Sequence, residues 1–437
     1  MSKHWFKFNK QNKRRKIIIV SIVLLLVCGG FFVRHYDKIF KPQWEIVDKL
    51  DGNIFPSIVL SLASTNHIVI EPVSPEALGN RKSTFAIKIE NPAEDSKVRI
   101  QLNRSNFYSS TTTEFELKEK GKTYYLYPNI VWRYDNLLTN EQPIPLDVSF
   151  QVFVNNEDFG SDSRTFSVRG INECLLGYKD NKGKYHDTGI FFAAYVNEDH
   201  PDIDKVLREA LDTRMVKLFQ GYQAKNPEDV KKQVYAIWYT LQRRNFKYSS
   251  ISKTSLASDK LFSQRVRTVG NSLESSQINC LDGSVLFASF LRAINIDPII
   301  VRIPGHVFVG FYLDKNHTER VFLETTFIGQ LNLEDYLSQE QVEEALVYEE
   351  LPEDELEENQ EVDAENVEEI AAVLEVEKTE KKPLTQNEAS KKTFDLAIEY
   401  ATKKFEEHEQ FFGTNKPNYM YLQINDDTRK IIQPIGK

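Results

Sequence analysis

Cysteine and methionine are scarce in this chain, with three of each among 437 residues. Cysteines at positions 28, 174 and 280 are too few for a disulfide-built scaffold or a four-cysteine zinc module, so each thiol has to be judged by its own surroundings. Glycine and proline are also sparse, at 18 and 16 residues, and alongside 41% hydrophobic residues this excludes a collagen-like or wholly disordered chain. A basic excess is missing too. The 64 acidic against 55 basic side chains give a net charge of -9, and no nucleic-acid partner is expected. The length is roughly three times that of a typical single domain, which predicts more than one buried core.

What is present begins with charge asymmetry. Residues 1–16 carry Lys3, Lys7, Lys10, Lys13, Arg14, Arg15 and Lys16 with no acid, and an uncharged, mostly apolar run follows from Ile17 to Val33. As a helix that run spans roughly 25 Å, near the lower limit for crossing a bilayer. It predicts a single transmembrane helix at 17–33, a basic cytoplasmic tail at 1–16 and the remaining domains outside. Gly29, Gly30, Phe31, Phe32 and Val33 offer no small-x-small cleavage site, so a signal-anchor is expected in place of a cleaved leader. Residues 34–62 read as a membrane-proximal linker.

From 63 to 172, short strand-like runs alternate with polar breaks. Phe85, Ile87 and Ile89, and again Val148, Phe150 and Val152, show the period of two expected of half-buried strands, and the spacing predicts a β-sandwich. The cysteine-tryptophan-cysteine spacing of an antibody domain is absent, so Ig-like describes architecture only. Further on the period becomes helical, in Ile203, Val206, Leu207, Ala210 and Leu211 and then in Val230, Val234, Ile237, Trp238 and Leu241. Glu349 to Glu377 holds 14 Asp or Glu and no Lys or Arg, which predicts an acidic low-complexity insertion at 346–384. A helix stripe through Phe394, Ala397, Ile398, Ala401 and Phe405 and a strand near Tyr419–Ile424 follow, so 385–437 is expected to complete the preceding core.

The segment with most chemistry runs from Gln277 to Ile294. Asn279 and Asp282 suit a helix start, and Cys280 between them would meet unpaired backbone N–H groups that favour thiolate over thiol. Twenty-six residues later His306 heads a strand-like run through Leu313, and Arg320–Leu323 is placed to return and deliver Glu324 beside it. In that geometry Cys280 attacks, His306 accepts and returns a proton, and Glu324 orients the imidazole. The Cys280 N–H and the Gln277 side chain are the candidate donors to an oxyanion. No close ligand pair accompanies these residues, and no metal or other cofactor is expected.

These motifs resemble the bacterial transglutaminase-like branch of the papain-like cysteine-enzyme superfamily. Cys280 matches its helix-borne nucleophile, Leu291-Arg292-Ala293 its arginine-bearing segment, His306 its strand-opening histidine, and Ala236–Tyr248 its preceding helix and phenylalanine-x-tyrosine exit. Glu324-Thr325-Thr326 stands where the family has a pattern near aspartate-proline-threonine, a departure that adds one methylene to the acid. The resemblance covers less than half of the chain and implies a transglutaminase-like core at 185–345.

The expected fold class is therefore α+β: a transglutaminase-like (papain-like) core preceded by an Ig-like β-sandwich and a single N-terminal transmembrane helix. The resemblance implies a cysteine peptidase or amidase, a hydrolase that forms an acyl-enzyme on a peptide or envelope-protein substrate. An acyltransferase or crosslinker, and a noncatalytic envelope binding or assembly module, are the alternatives. The expected location is a bacterial cell or inner membrane, with residues 17–33 in the bilayer and the domains in the periplasm or outside.

Overall fold

Alternating side chains set the first of two compact units, whose described residues are 43–54, 70–133 and 145–167. The computed structural model describes residues 43–224, 226–249, 256–336, 338, 384–414 and 416–436. In Ile144–Val154 every second residue from Leu146 to Val154 is buried, and Ser96–Leu102 buries Ser96, Val98, Ile100 and Leu102 in the same way. These two strands pair antiparallel, Phe150 opposite Leu102 and Val154 opposite Val98, so their apolar sides share one face. They belong to a five-stranded sheet whose order is Asn53–Ile54, Glu157–Val168, Ile144–Val154, Ser96–Leu102 and Thr111–Leu117. A four-stranded sheet runs Trp44–Asp48, Phe85–Glu90, Thr123–Tyr127 and Ala77–Gly79. Phe85 of this second sheet meets Phe150 and Phe166 of the first at ring-centroid distances of 5.7 and 5.3 Å, which joins the two apolar faces.

The second unit, made of the described residues within 55–69, 134–144 and 168–436, contains the residues with chemistry. Its centre is a four-stranded antiparallel sheet built from β1 (Pro298–Ile303), β2 (His306–Tyr312), β3 (Arg320–Leu323) and β4 (Met420–Gln423), in the order β3-β2-β1-β4. Every residue of β1 is buried, as expected of a strand covered on both faces. Helix α1 (Cys280–Ala293) packs against β1 and β2. Its residues from Leu281 to Leu291 are all buried, which makes it a central helix with no solvent face along most of its length. Helix α2 (Gln386–His408) sends Ala401 and Phe405 into a cluster with Ile299, Val301, Ile303, Phe308 and Phe322. The rings of Phe322 and Phe405 stack at 4.0 Å.

The membrane part of the expected architecture is corrected. The described residues form an α+β fold with several sheets, and among them no helix is long and apolar enough to cross a membrane. At 23 residues α2 has the length, but charges such as Lys391, Lys392, Asp395 and Glu399 run along it. The expected span 17–33 lies outside the described residues, as does the acidic insertion 346–384 apart from Leu384. The signal-anchor, the membrane partner and the single-pass localisation with a cytoplasmic N-terminus are dropped accordingly.

One glycine governs how closely α1 approaches the end of the sheet. A Cβ at Gly283 would lie 2.6 Å from Thr325 Oγ1 and 3.0 Å from its Cβ, a β-branched side chain that cannot swing aside cheaply. Gly283→Ala should therefore destabilise the protein by about 1–3 kcal/mol through overpacking, in spite of alanine's better helix propensity. Denaturant unfolding of the variant checks this, and a gain in stability would show that the contact yields.

Candidate functional site

The imidazole is placed by a two-residue hairpin. Ile303 pairs with His306, and between them Pro304 fixes its own φ while Gly305 takes φ +77°, the combination a type II turn requires. His306 thus opens β2, with its side chain 26% exposed. Strand β3 returns beside β2 with Leu323 opposite Val309, so the chain leaves the sheet at Glu324 on the end where His306 begins. The Glu324 N–H donates to the Ala397 carbonyl of α2 at 3.1 Å, and a 3-10 helix, Thr325–Gln330, follows.

The extra methylene of glutamate is absorbed by neighbours. Glu324 is 1% exposed. Its Oε1 accepts from the Thr326 N–H at 3.1 Å and from the Thr326 hydroxyl at 2.7 Å, which leaves Oε2 on His306 Nε2 at 2.5 Å. These bonds satisfy a buried carboxylate and aim it at the ring.

The thiol stands at the first residue of α1. Asn279 caps this helix: its Oδ1 accepts from the N–H groups of Leu281 and Asp282 at 2.9 and 2.8 Å, and Asp282 Oδ2 accepts from the Asn279 N–H at 3.4 Å. The Cys280 N–H takes no part in this box. Cys280 is free and partly exposed, and its side chain is near enough to His306 to raise the pKa of the ring.

His306 is therefore shared between a thiol and a carboxylate. Burial pulls its pKa down, but the hydrogen bonds to Cys280 and Glu324, and the negative charges of both, outweigh burial and raise it from 6.5 to about 10. The sign follows from linkage. A raised histidine pKa contributes stability that is fully present below pH 6.5 and is lost as pH rises through about 10.

Around this trio the picture is more mixed. Gln277 is solvent-exposed, in a two-residue strand whose backbone pairs with Lys247–Tyr248. Tyr248, which the sequence reading left without a role, is half exposed; burial, then the charges of Cys280 and Glu324, hold its phenol above the ordinary range. The parallel pairing of Tyr248 with Ile278, two residues before Cys280, is what brings it there, and only the Phe246-Lys247-Tyr248 segment hinted at this. His317 pairs with Asp297 at 2.9 Å and stacks on Tyr312 at the opposite end of β2 from His306. A cavity of about 470 Å³ lies beside the start of α1, lined by Arg265, Arg267, Asn271, Asn279 and Asp282 among others, and another of about 540 Å³ lies along α2. Neither is lined by Cys280, His306 or Glu324.

Comparison with protein-family models finds no match, and comparison with curated proteins finds none either. The expectation of a membrane-anchored cysteine peptidase or amidase, together with its acyltransferase and envelope-module alternatives, is corrected here. The described residues include no membrane-spanning helix, and no group of three or more His, Cys, Asp or Glu among them could hold a metal ion. The other described thiol, Cys174, is buried in a different sheet, so no cysteine pair forms. The peptide or envelope-protein substrate and the hydrolase and cysteine-protease terms go with that correction.

The electrostatics of His306 can be measured directly. In a ring-proton NMR titration its midpoint should fall near pH 10, and Glu324→Gln should move it down toward 6.5. A wild-type midpoint near 6.5 would mean that the carboxylate and the thiol do not hold the proton.

Proposed function

We propose that the second unit is a transglutaminase-like domain carrying a nucleophilic thiol site, with Cys280 as the attacking group, His306 as its proton acceptor and donor, and Glu324 as the carboxylate that orients the ring. The observation that carries this reading is the bond from His306 to a buried, otherwise satisfied carboxylate, with the Cys280 side chain near enough to act on the same ring. Such an arrangement spends a buried charge on holding one ring in one orientation, as nucleophilic sites do.

The chemistry it suits is addition of the sulfur to a carbonyl carbon. The proton sits on His306 before attack, so as the Cys280 sulfur forms the S–C bond the π electrons of the C=O bond move to oxygen. That oxygen then takes the proton from His306, leaving S–C–O–H and a neutral imidazole with nothing else consumed. The Cys280 N–H, outside the capping box, is the donor best placed for the developing oxygen charge, with Gln277 three residues ahead as the second candidate. The Glu-for-Asp departure from the family pattern is compatible with this role, because Thr326 anchors the longer acid.

Alkylation by iodoacetamide, mapped by mass spectrometry, tests the reading. Cys280 should be modified at neutral pH while buried Cys174 is spared, and His306→Ala should slow modification of Cys280 by about 100-fold, the lower end of what a positioned proton acceptor supplies. Equal rates in wild type and His306→Ala would leave Cys280 an ordinary thiol.

A further inference from the structure

We propose that Arg267 is a positioning residue for Cys280, acting through Asp282; the inference rests on the thiol-site reading and extends it to a residue outside the trio. Arg267 approaches the start of α1 from 15 residues upstream and meets Asp282 twice. Its main-chain N–H donates to Oδ1 at 2.8 Å and its guanidinium to Oδ2 at 2.5 Å. Asp282 Oδ2 is also the atom that closes the capping box on the Asn279 N–H, directly before Cys280. One carboxylate therefore ties an arginine on a separate segment to Asn279, the residue directly before the thiol.

Ordinary helix capping does not need this. Helix α2 begins with the same two-way box, Thr385 and Glu388, made with an exposed carboxylate. At α1 the carboxylate is 1% exposed, and burial raises the Asp282 pKa against the pull of Arg267. Keeping a carboxylate charged there is costly unless a guanidinium compensates it, and buried ion pairs are seldom the cheapest route to stability. What the pair does supply is a fixed geometry. With Asp282 held, Asn279 is held, and the first turn of α1 presents Cys280 to a histidine that is itself locked by Glu324. Without the guanidinium the buried carboxylate would take up a proton or draw in water, and the box would loosen. The main-chain bond remains available in Arg267→Ala and Arg267→Lys, so these variants isolate the side chain.

Two readouts separate the parts of the claim. Hydrogen exchange at the Leu281 and Asp282 amides, the two donors to Asn279, reports the first turn whether or not the thiol is reactive; iodoacetamide alkylation reports Cys280. Arg267→Ala and the nearly isosteric Asp282→Asn should each speed that exchange by about tenfold, the equivalent of one lost cap, and slow alkylation of Cys280, while Arg267→Lys should recover most of both. Unchanged exchange in Asp282→Asn would overturn the positioning role. Faster exchange in a protein whose wild-type Cys280 reacts no faster than in His306→Ala would overturn the thiol-site reading on which the link to Cys280 depends, leaving a helix-start latch alone.

Discussion

An imidazole ring has two nitrogens, and what one of them meets decides what the other can do. In His306, Nε2 meets Glu324 Oε2 at 2.5 Å, and the nearby Cys280 side chain acts with that carboxylate to raise the pKa of the ring. Everything functional in the second unit depends on this sharing. A ring without its carboxylate would be free to rotate and to lose its proton near pH 6.5; held as it is, it keeps the proton to about 10. The carboxylate depends in turn on Thr326 for its other oxygen and on the α2 main chain for its own N–H.

The surrounding fold supplies rigidity where the trio needs it. The Pro304-Gly305 turn fixes where His306 starts, the β2–β3 register fixes where Glu324 ends, and Gly283 lets α1 close on Thr325. Three buried or partly buried charged groups, His306, Glu324 and Asp282, gather within this small region. Concentrations of that kind lower stability unless each charge is compensated, and here each has a partner of opposite sign or a set of donors. The first unit is centred on aromatic packing, where Phe85, Phe150 and Phe166 meet and the Arg164 guanidinium lies over the Phe166 ring.

Local signals carried part of this structure into the sequence. Val148, Phe150 and Val152 alternate because one face of their strand is buried, and Asn279 and Asp282 sit at capping distance because they bond within one turn. The Pro304-Gly305 pair announces the turn before His306 for the same local reason. Interactions that join distant segments left no such trace. Arg267 reaches Asp282 across 15 residues, and the Glu324 N–H meets Ala397 on the far side of the acidic stretch. Trp44–Asp48, inside the stretch read as a linker, pairs with Phe85–Glu90, since Trp44 and Ile46 alone are too brief an alternation to declare a strand. Hydropathy at 17–33 suggested a membrane span, yet that run lies outside the described residues and no helix among them is long and apolar enough to cross a membrane.

The central claim is that Cys280 and Glu324 together keep a proton on His306. Nitrogen-15 chemical shifts of the His306 ring at pH 8, recorded before and after Cys280 is alkylated, address it most directly. A doubly protonated imidazolium in the native protein that gives up part of its protonation once the sulfur is blocked is the predicted result. A neutral ring in both samples would contradict the account.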